Sequence, residues 1–386
     1  MCAIQSGREG FLATCRRYQI SRKTGYKWWG RFQEHGGRGL YDRSRRPRRI
    51  RRVRACWRRR VLQWHGRHPG WGARKLRWVL QAEWPRQPVP AVRTLHRWLV
   101  AAGLVQPPPQ RARRGPVRRR PVRLVARRPN DVWTVDFKGR FRAQDGARIE
   151  PLTVRDLASR QGLAVQGLPA TDEAQVRRAL QKLFQRHGLP RAIRVDNGPP
   201  FGGQSPLGLT KLSAWWLRLG VRVEFGRPGC PQDNAAHEQW HRVLAAETAR
   251  PAALTARAQQ RRFDRWLKVY NTQRPHEALG MRVPAAVYRC SPRRWRGLTP
   301  QVYPAAWPVL RVDARGRVRW QGRVRHIGRA FAGWRIGLRP AGRERWAVFF
   351  DRHFLGVLTA GDAAGLRAVR WRAPHSAAQG RAKPRP

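Results

Sequence analysis

The chain is poor in acid. Only 22 of its 386 residues are Asp or Glu, against 82 Lys and Arg, which leaves a formal net charge of +60 at pH 7. Such a surface repels basic partners and favours polyanions. Each phosphate met by a Lys or Arg releases condensed counterions, so nucleic acid is the natural partner. Arg is spread along the whole chain, and a codon preference for Arg contributes to the excess. Where acid is this scarce, a carboxylate at a special position is conspicuous. Cysteine is scarce too. Cys2, Cys15, Cys56, Cys230 and Cys290 are odd in number, scattered and without a CxxC pair, which excludes a disulfide framework and a zinc finger. His65 and His68 form an HxxH, but no paired cysteines follow, so zinc is excluded there as well. Long apolar runs are absent. The opening MCAIQSGREG lacks a signal core and no run is long enough to span a bilayer, so no membrane partner and a cytoplasmic location are expected. What remains is ample for folding: 41% of residues are hydrophobic, and the length suits two or three domains.

The front third reads as helices that meet DNA. Gly10 to Tyr18 is a short helical stretch, followed by QISRKTGYKWWGRF. Ser21 is a natural N-cap, and the helix beyond it carries Arg22, Lys23, Lys27 and Arg31 with Trp28, Trp29 and Phe32 for packing. A short helix, a tight turn and a capped basic helix form the helix-turn-helix pattern, with Ser21, Arg22, Lys23 and Thr24 where base or phosphate contacts are made. Gly25 is out of place in a free-standing helix. Asp42 to Arg54 is a basic linker. Helices are then expected at Trp57 to His65, Gly72 to Glu83 and Ala91 to Ala102, a second and weaker helix-turn-helix candidate with Arg93, His96 and Arg97 on its polar face. The tryptophans here are expected to be core. Gln106 to Arg128 is Pro- and Arg-rich without periodicity, an extended linker.

The middle carries the chemistry. VWTVDF, residues 132–137, is a buried-strand pattern bearing one carboxylate, Asp136. Strands are expected at 149–154, 162–168, 192–195 and 221–225, with helices opened by Thr171-Asp172-Glu173 and running to about His187, from Leu209 to Leu219, and around Glu238 after a cap at Asp233 or Asn234. Asp196 follows the 192–195 strand directly. One Asp within a strand, one at a strand end and one Glu on a helix can meet in a folded sheet. Phosphodiester transfer builds charge on the attacking and leaving oxygens, and two Mg²⁺ about 3.5–4 Å apart clamp both. Mg²⁺ takes hard oxygen ligands, which three carboxylates supply. An Asp before Asn-Gly is by itself a common turn former, but a second Asp inside an apolar strand is expensive without a purpose. Asp156, Asp172 and Glu173 read as turn and cap residues. His237 and His241 flank Glu238; His241 shares its helix face and is a candidate for substrate phosphate or for helix packing. Lys138, two residues past Asp136, is a further DNA-contact candidate.

The runs PNDVWTVDFKG, PLTVRDLASR, RVDNGPPF, RPGCPQDNAAHEQWHRVL and YNTQRPHEALGMRVPAAVY, with SRKTGYKW at the front, resemble bacterial insertion-sequence transposases with a retroviral-integrase-type core. The resemblance spans almost the whole chain. It implies an RNase H-like fold and a DDE triad, which falls on Asp136, Asp196 and Glu238 as catalytic residues and ligands of two Mg²⁺ or Mn²⁺ ions. It also implies cleavage and strand transfer of double-stranded DNA, at transposon terminal repeats and a target, by a homo-oligomer in the bacterial cytoplasm on the nucleoid. Val195, Ala235 and Gln239 stand where the family commonly has Ser, Gly and Arg. Relatives usually have another helix before the first helix-turn-helix, which leaves two readings, a truncated element or a misassigned start codon. Asn271, Arg274, Pro275 and His276 match a family motif that closes the core.

The tail from Trp307 to Leu358 alternates apolar and basic residues in short runs with Gly turns, which predicts a small antiparallel barrel. A comparable DNA-binding barrel is implied by the resemblance; a plain β domain that stabilises the core is the alternative. The expected architecture is a multidomain α/β chain: helix-turn-helix units at 1–45 and 54–105, a linker at 106–129, a mixed-sheet RNase H-like core with flanking helices at 130–290, a small β-barrel at 300–372 and a disordered basic tail at 373–386. Two other functions are compatible with these modules: a catalytically decayed, DNA-binding regulator, and a plain nuclease on the same fold.

Overall fold

A computed structural model describes residues 2–42, 54–105, 124–226, 235–361 and 365–368. Most of the expected linkers at 42–54 and 106–129, the cap at 233–234 and the basic tail lie outside the described residues. Two compact units emerge, Met1–Ala55 and Cys56–Pro386.

The first unit contains α1 (Cys2–Gln5), α2 (Phe11–Arg17) and α3 (Arg22–His35). The Thr24 amide donates to the Ser21 hydroxyl at 3.1 Å, the expected cap. Gly25 has a structural reason. A Cβ there would lie 2.5 Å from Cys15 Sγ and 3.0 Å from Phe11 Cζ, so α2 and α3 can approach only over a glycine. The rings of Phe11 and Tyr26 stack beside it, 4.3 Å apart.

The second unit opens with α4 (Ala55–Arg67), α5 (Ala73–Glu83) and α6 (Val92–Ala101). Trp57, Val61, Trp71, Leu76, Leu80 and Leu95 are buried between them, so these tryptophans are core. His65 is buried with Nδ1 3.3 Å from the Trp71 carbonyl, and the His68 ring stacks on Trp71 at 4.0 Å. The HxxH pair is therefore engaged in packing.

Next come β1 (Val132–Phe137), β2 (Phe141–Arg142), β3 (Arg148–Asp156), β4 (Gly162–Leu168), α7 (Glu173–His187), β5 (Ala192–Val195), α8 (Lys211–Arg218), β6 (Arg222–Phe225), α9 (Ala235–Thr248), α10 (Ala256–Thr272) and α11 (Pro284–Val287). The strands form one mixed sheet in the order β4-β3-β1-β5-β6, with β2 paired to the start of β3. β1, β5 and β6 run parallel; β3 is antiparallel to β1 and β4. On one face, Val176, Leu180 and Phe184 of α7 and Trp215 and Trp216 of α8 share a core with Trp133, Val135, Ile193 and Val195. On the other, Trp240 and Leu244 of α9 and Phe263 and Trp266 of α10 pack with Ile149 and Val165. α7 starts where Asp172 accepts the Gln175 amide at 3.0 Å, and Thr210 caps α8 in a reciprocal box with Ser213.

The C-terminal strands are β7 (Val309–Arg311), β8 (Arg317–Trp320), β9 (Arg323–His326), β10 (Arg335–Pro340), β11 (Arg345–Phe350), β12 (His353–Thr359) and β13 (Arg367–Ala368). The expected barrel is corrected here. Five strands form an open sheet, β7-β10-β11-β12-β13, and β8 pairs only with β9. Closure needs edge pairing, and the described edges, β7 and the two-residue β13, do not pair with each other. The inner face of this sheet, Ile336, Leu338, Val348 and Phe350, joins the same apolar core as α8, which supports the stabilising role for these strands. Among the described residues no helix is long and apolar enough to cross a membrane.

Replacing Gly25 by Val is expected to force α2 and α3 apart, costing about 1–3 kcal/mol as in other overpacked contacts. Hydrogen exchange should quicken across residues 11–35 and stay unchanged in β1 and α7. Unaltered exchange in both regions would contradict the close-approach account of Gly25.

Candidate active site

β1 is the centre of the site because it is paired on both edges. Against β5 the partners are Val132–Ala192, Trp133–Ile193 and Thr134–Arg194. Carried two residues further, this register brings Asp136 level with Asp196, just beyond the end of β5. Neighbouring strands lie about 4.8 Å apart, so the two carboxylates face one another. Against β3, Asp136 is opposite Thr153 and Thr134 opposite Arg155. Alternation along β1 sends Trp133 and Val135 into the apolar core and leaves Thr134 and Asp136 on a polar face.

α9 crosses this polar face and is tied to it near its start. The Thr153 hydroxyl lies 2.8 Å from the Asp136 carbonyl, 2.7 Å from His237 Nε2 and 2.7 Å from His241 Nε2. His237 Nδ1 lies 2.6 Å from the Thr134 hydroxyl. A hydroxyl has one proton and two lone pairs. If Thr153 donates to the Asp136 carbonyl, both imidazoles donate to Thr153 through Nε2–H, and the one Thr134 proton goes to His237 Nδ1 at 2.6 Å in competition with the Arg155 carbonyl at 3.3 Å. Every group is then satisfied with both rings neutral. The environment agrees. His237 is held well below its ordinary value by complete burial, then by His241 and Arg155; burial, Lys138 and Arg155 push His241 down to about 3. Arg155 adds a bond from Nη1 to the Ala236 carbonyl at 2.7 Å. Glu238 follows His237, is exposed, and lies near enough to Asp136 to raise it.

The carboxylates crowd one another in a chain full of cations. Asp136 is pushed up to about 7 by burial first, then by Asp196, with Glu238 adding to the rise against the Phe137 amide. The Phe137 amide donates to Asp136 Oδ1 at 2.8 Å. Asp196 is also raised, by burial, while the Gly198 and Asp196 amides oppose. Three adjacent carboxylates, two of them raised, suit a divalent cation that relieves their repulsion, and an all-oxygen set suits Mg²⁺ or Mn²⁺. Donor atoms of Asp136, His237 and His241 also lie within 4.8 Å of one another. That set is less suited to the same ion, because both Nε2 atoms already meet Thr153.

The remaining candidates are placed as follows. Arg22, Lys23 and Lys27 are exposed on α3, Thr24 and Arg31 are half-buried, and the Arg31 guanidinium sits 4.9 Å over the Trp28 ring. The exposed Ser21 uses its hydroxyl as the cap. Arg93 and Arg97 are exposed on α6. Lys138 is half-buried just past β1, its amide donating to the Pro151 carbonyl. His241 is buried and turned to Thr153, so of its two expected roles the geometry supports packing. Asp156 accepts from the Asn130 and Ser159 amides at 2.7 Å, a turn role, and Asn271 bonds both backbone groups of Gly162. Thr134, Thr153 and Arg155 were not singled out from sequence; their signal is the polar alternation Thr153, Arg155 inside the otherwise buried run PLTVRD.

Family models agree with this architecture. Integrase core domain models match residues 126–231 and 219–284, a helix-turn-helix domain matches 1–48, and the C-terminal domain of IS481 family transposases matches 308–359. The chain is 30% identical over 236 residues to an insertion element IS476 uncharacterized 39.2 kDa protein of Xanthomonas euvesicatoria, covering 61% of this chain and 64% of that one. It is 29% identical over 177 residues to an insertion element IS407 uncharacterized 31.7 kDa protein of Burkholderia multivorans, covering 46% and 61%. The chain thus spans a little under two thirds of the length of these relatives. Solved structures with some likeness include the HTLV-2 integrase catalytic core domain with magnesium (13% identity, 42% of this chain and 98% of that one, TM-score 0.31). Another is the simian T-cell lymphotropic virus intasome with the PP2A regulatory subunit B56 gamma (14% identity, 76% and 97%, TM-score 0.36). Both scores are too low to bear on the fold, which rests on the strand order and the family models. The chain is thus similar to insertion-element proteins and carries matches to integrase core, helix-turn-helix and IS481 transposase C-terminal domain models.

Two outcomes follow from the geometry. Asp136 rises from the ordinary 3.8 to about 7, so between those values the metal-free fold holds a proton that the unfolded chain has lost. Its stability therefore falls as pH rises from about 4 to about 7 and is level above. Asp136→Asn removes this dependence and, metal-free at pH 8, should be more stable by on the order of 1–4 kcal/mol in urea titrations. A wild-type-to-variant difference that does not change between pH 4 and pH 8 would contradict it. Thr153→Val keeps the shape but leaves two buried imidazole N–H groups without an acceptor, at roughly 1–3 kcal/mol each. Faster hydrogen exchange along α9 is the expected result, and unchanged protection would show the network to be dispensable.

Proposed function

We propose that the chain is a DDE transposase that cleaves DNA at the ends of its element and joins them to a target, with Asp136, Asp196 and Glu238 as the catalytic carboxylates. The observation that carries this reading is the β1–β5 register, which sets Asp136 level with Asp196, together with the influence of Glu238 of α9 on Asp136. Asp136, Asp196 and Glu238 would hold two Mg²⁺ or Mn²⁺ ions, which supply Lewis-acid stabilisation and a nucleophile at neutral pH. Asp136 is the most constrained of the three: β1 is fixed on both edges and the Phe137 amide orients Oδ1. Glu238, exposed on α9, can adjust as DNA arrives. Phosphodiester hydrolysis at an element end leaves a 3′ hydroxyl, and that hydroxyl attacks target DNA by transesterification. The exposed bases of α3 and α6 read and grip the terminal repeats. Pairing of two ends calls for a homo-oligomer on double-stranded DNA, in the cytoplasm. The domain divisions at 1–45, 54–105, 130–290 and 300–372 are proposed as working units of this machine.

With the element's own terminal DNA and Mn²⁺, the wild type should give joined products, and Glu238→Gln should lower their yield roughly 100-fold or more while end binding persists. End binding by both proteins with no products from either would instead indicate a DNA-binding regulator. Cleaved but never joined DNA would indicate a nuclease.

A further inference from the structure

A cavity of about 330 Å³ lies on the flank of α9. Lys75 of α5, Arg155 of β3, Arg160 of the β3–β4 turn and Arg274 and His276 beyond α10 converge on it. Two of these cations are neutralised. Arg274 Nη1 donates to Glu247 at 2.9 Å, and Lys75 lies 3.8 Å from Glu277, which Arg74 also meets. Arg155 and Arg160 form no ion pair among the described residues. The carboxylate next in sequence, Asp156, is occupied by Asn130 and Ser159. Arg155 is only 5% exposed, yet its Nε has no partner, and neither has the buried His276 Nε2. A buried guanidinium without an anion is costly, and an unmet donor beside it adds to the cost. Arg160 has a φ of +64°, a left-handed conformation that suits glycine, so the turn keeps an arginine at the expense of strain. His276 reports the same field from inside: burial, then Arg155, Arg274, Lys75 and Arg160, push its imidazole down to about 3.

We infer that this cavity is an anion site that takes one phosphate group, held by Arg155 and Arg160, with Lys75 at the rim and His276 at the wall. Guanidinium pairs bind phosphate oxygens through charge-assisted hydrogen bonds, and a phosphate fills the unmet Arg155 Nε donor. Because the cavity borders Ala236, Gln239 and Trp240 on the helix that carries Glu238, a DNA phosphodiester seated here would fix that helix relative to the substrate. This DNA source rests on the proposed function; the phosphate chemistry does not. The site also gives a purpose to the Arg274-Pro275-His276 motif beyond closing the core.

The test uses the full chain labelled with ¹⁵N-histidine, the His276 resonance being identified by its loss in His276→Gln. Inorganic phosphate, added at constant ionic strength against chloride, should shift His276 saturably and leave His65 unmoved. Arg160→Gln, at a half-exposed turn position, should weaken this binding about tenfold; Arg155→Lys is the second variant. No saturable shift in the wild type, or an equal shift in Arg160→Gln, overturns the site. A duplex of the terminal sequence with single methylphosphonate linkages separates the sources. One position should cost the wild type about five- to tenfold in affinity and cost Arg160→Gln nothing further. A phosphate shift without any such position keeps the anion site and overturns its DNA source. Failure of strand transfer with the phosphate response intact would remove the proposed function and leave the site standing.

Discussion

The double pairing of β1 is the constraint on which the rest of the site depends. With β3 antiparallel on one edge and β5 parallel on the other, Asp136 has no freedom to slide. A slip of one residue would turn every side chain of β1 over, sending Trp133 and Val135 out of the core and Asp136 into it. The hydrophobic core thus fixes the catalytic register. The same pairing sets Thr153 opposite Asp136, and Thr153 receives the two histidines that hold α9. Core packing, strand register and helix placement are linked through one strand.

Electrostatics then sets the cost. In a chain of net charge +60 the easy arrangement would neutralise each carboxylate with a nearby Arg. Glu224 with Arg194, Asp351 with Arg218 and Glu247 with Arg274 show this elsewhere. At Asp136 the largest influences are burial and another carboxylate, and the group is driven up to about 7. Negative charge concentrated against a background of excess positive charge is what a divalent-cation site requires. The flank of α9 shows the converse: Glu247 and Glu277 meet Arg274 and Lys75 there, while Arg155 and Arg160 form no ion pair among the described residues.

Much of this was legible in the sequence, for local reasons. β1, α7 and β5 fall where alternation, a capping Asp and β-branched residues put them, and the helix-turn-helix was marked by Ser21 and its basic helix. Asp136 and Asp196 stood out as rare acids at strand positions. Other features were not legible because they depend on pairing rather than on pattern. The strands of the C-terminal region were readable, but whether a sheet closes is decided by its edges, and β8 and β9 leave it. α10 was missed because its apolar stripe, Phe263, Trp266 and Tyr270, is sparse among charged residues. Gly25 looked like a helix weakness until its neighbour Cys15 was in place. Thr153 gave no sign of its importance: a threonine in a strand is ordinary, and only the register opposite Asp136 gives it its role.

The most direct measurement of the central claim is anomalous diffraction from crystals of the full chain soaked in Mn²⁺. Two peaks about 3.5–4 Å apart, both touching Asp136 and shared between Asp196 and Glu238, are the expected result. A single peak between Asp136, His237 and His241, with Asp196 and Glu238 uninvolved, would contradict it.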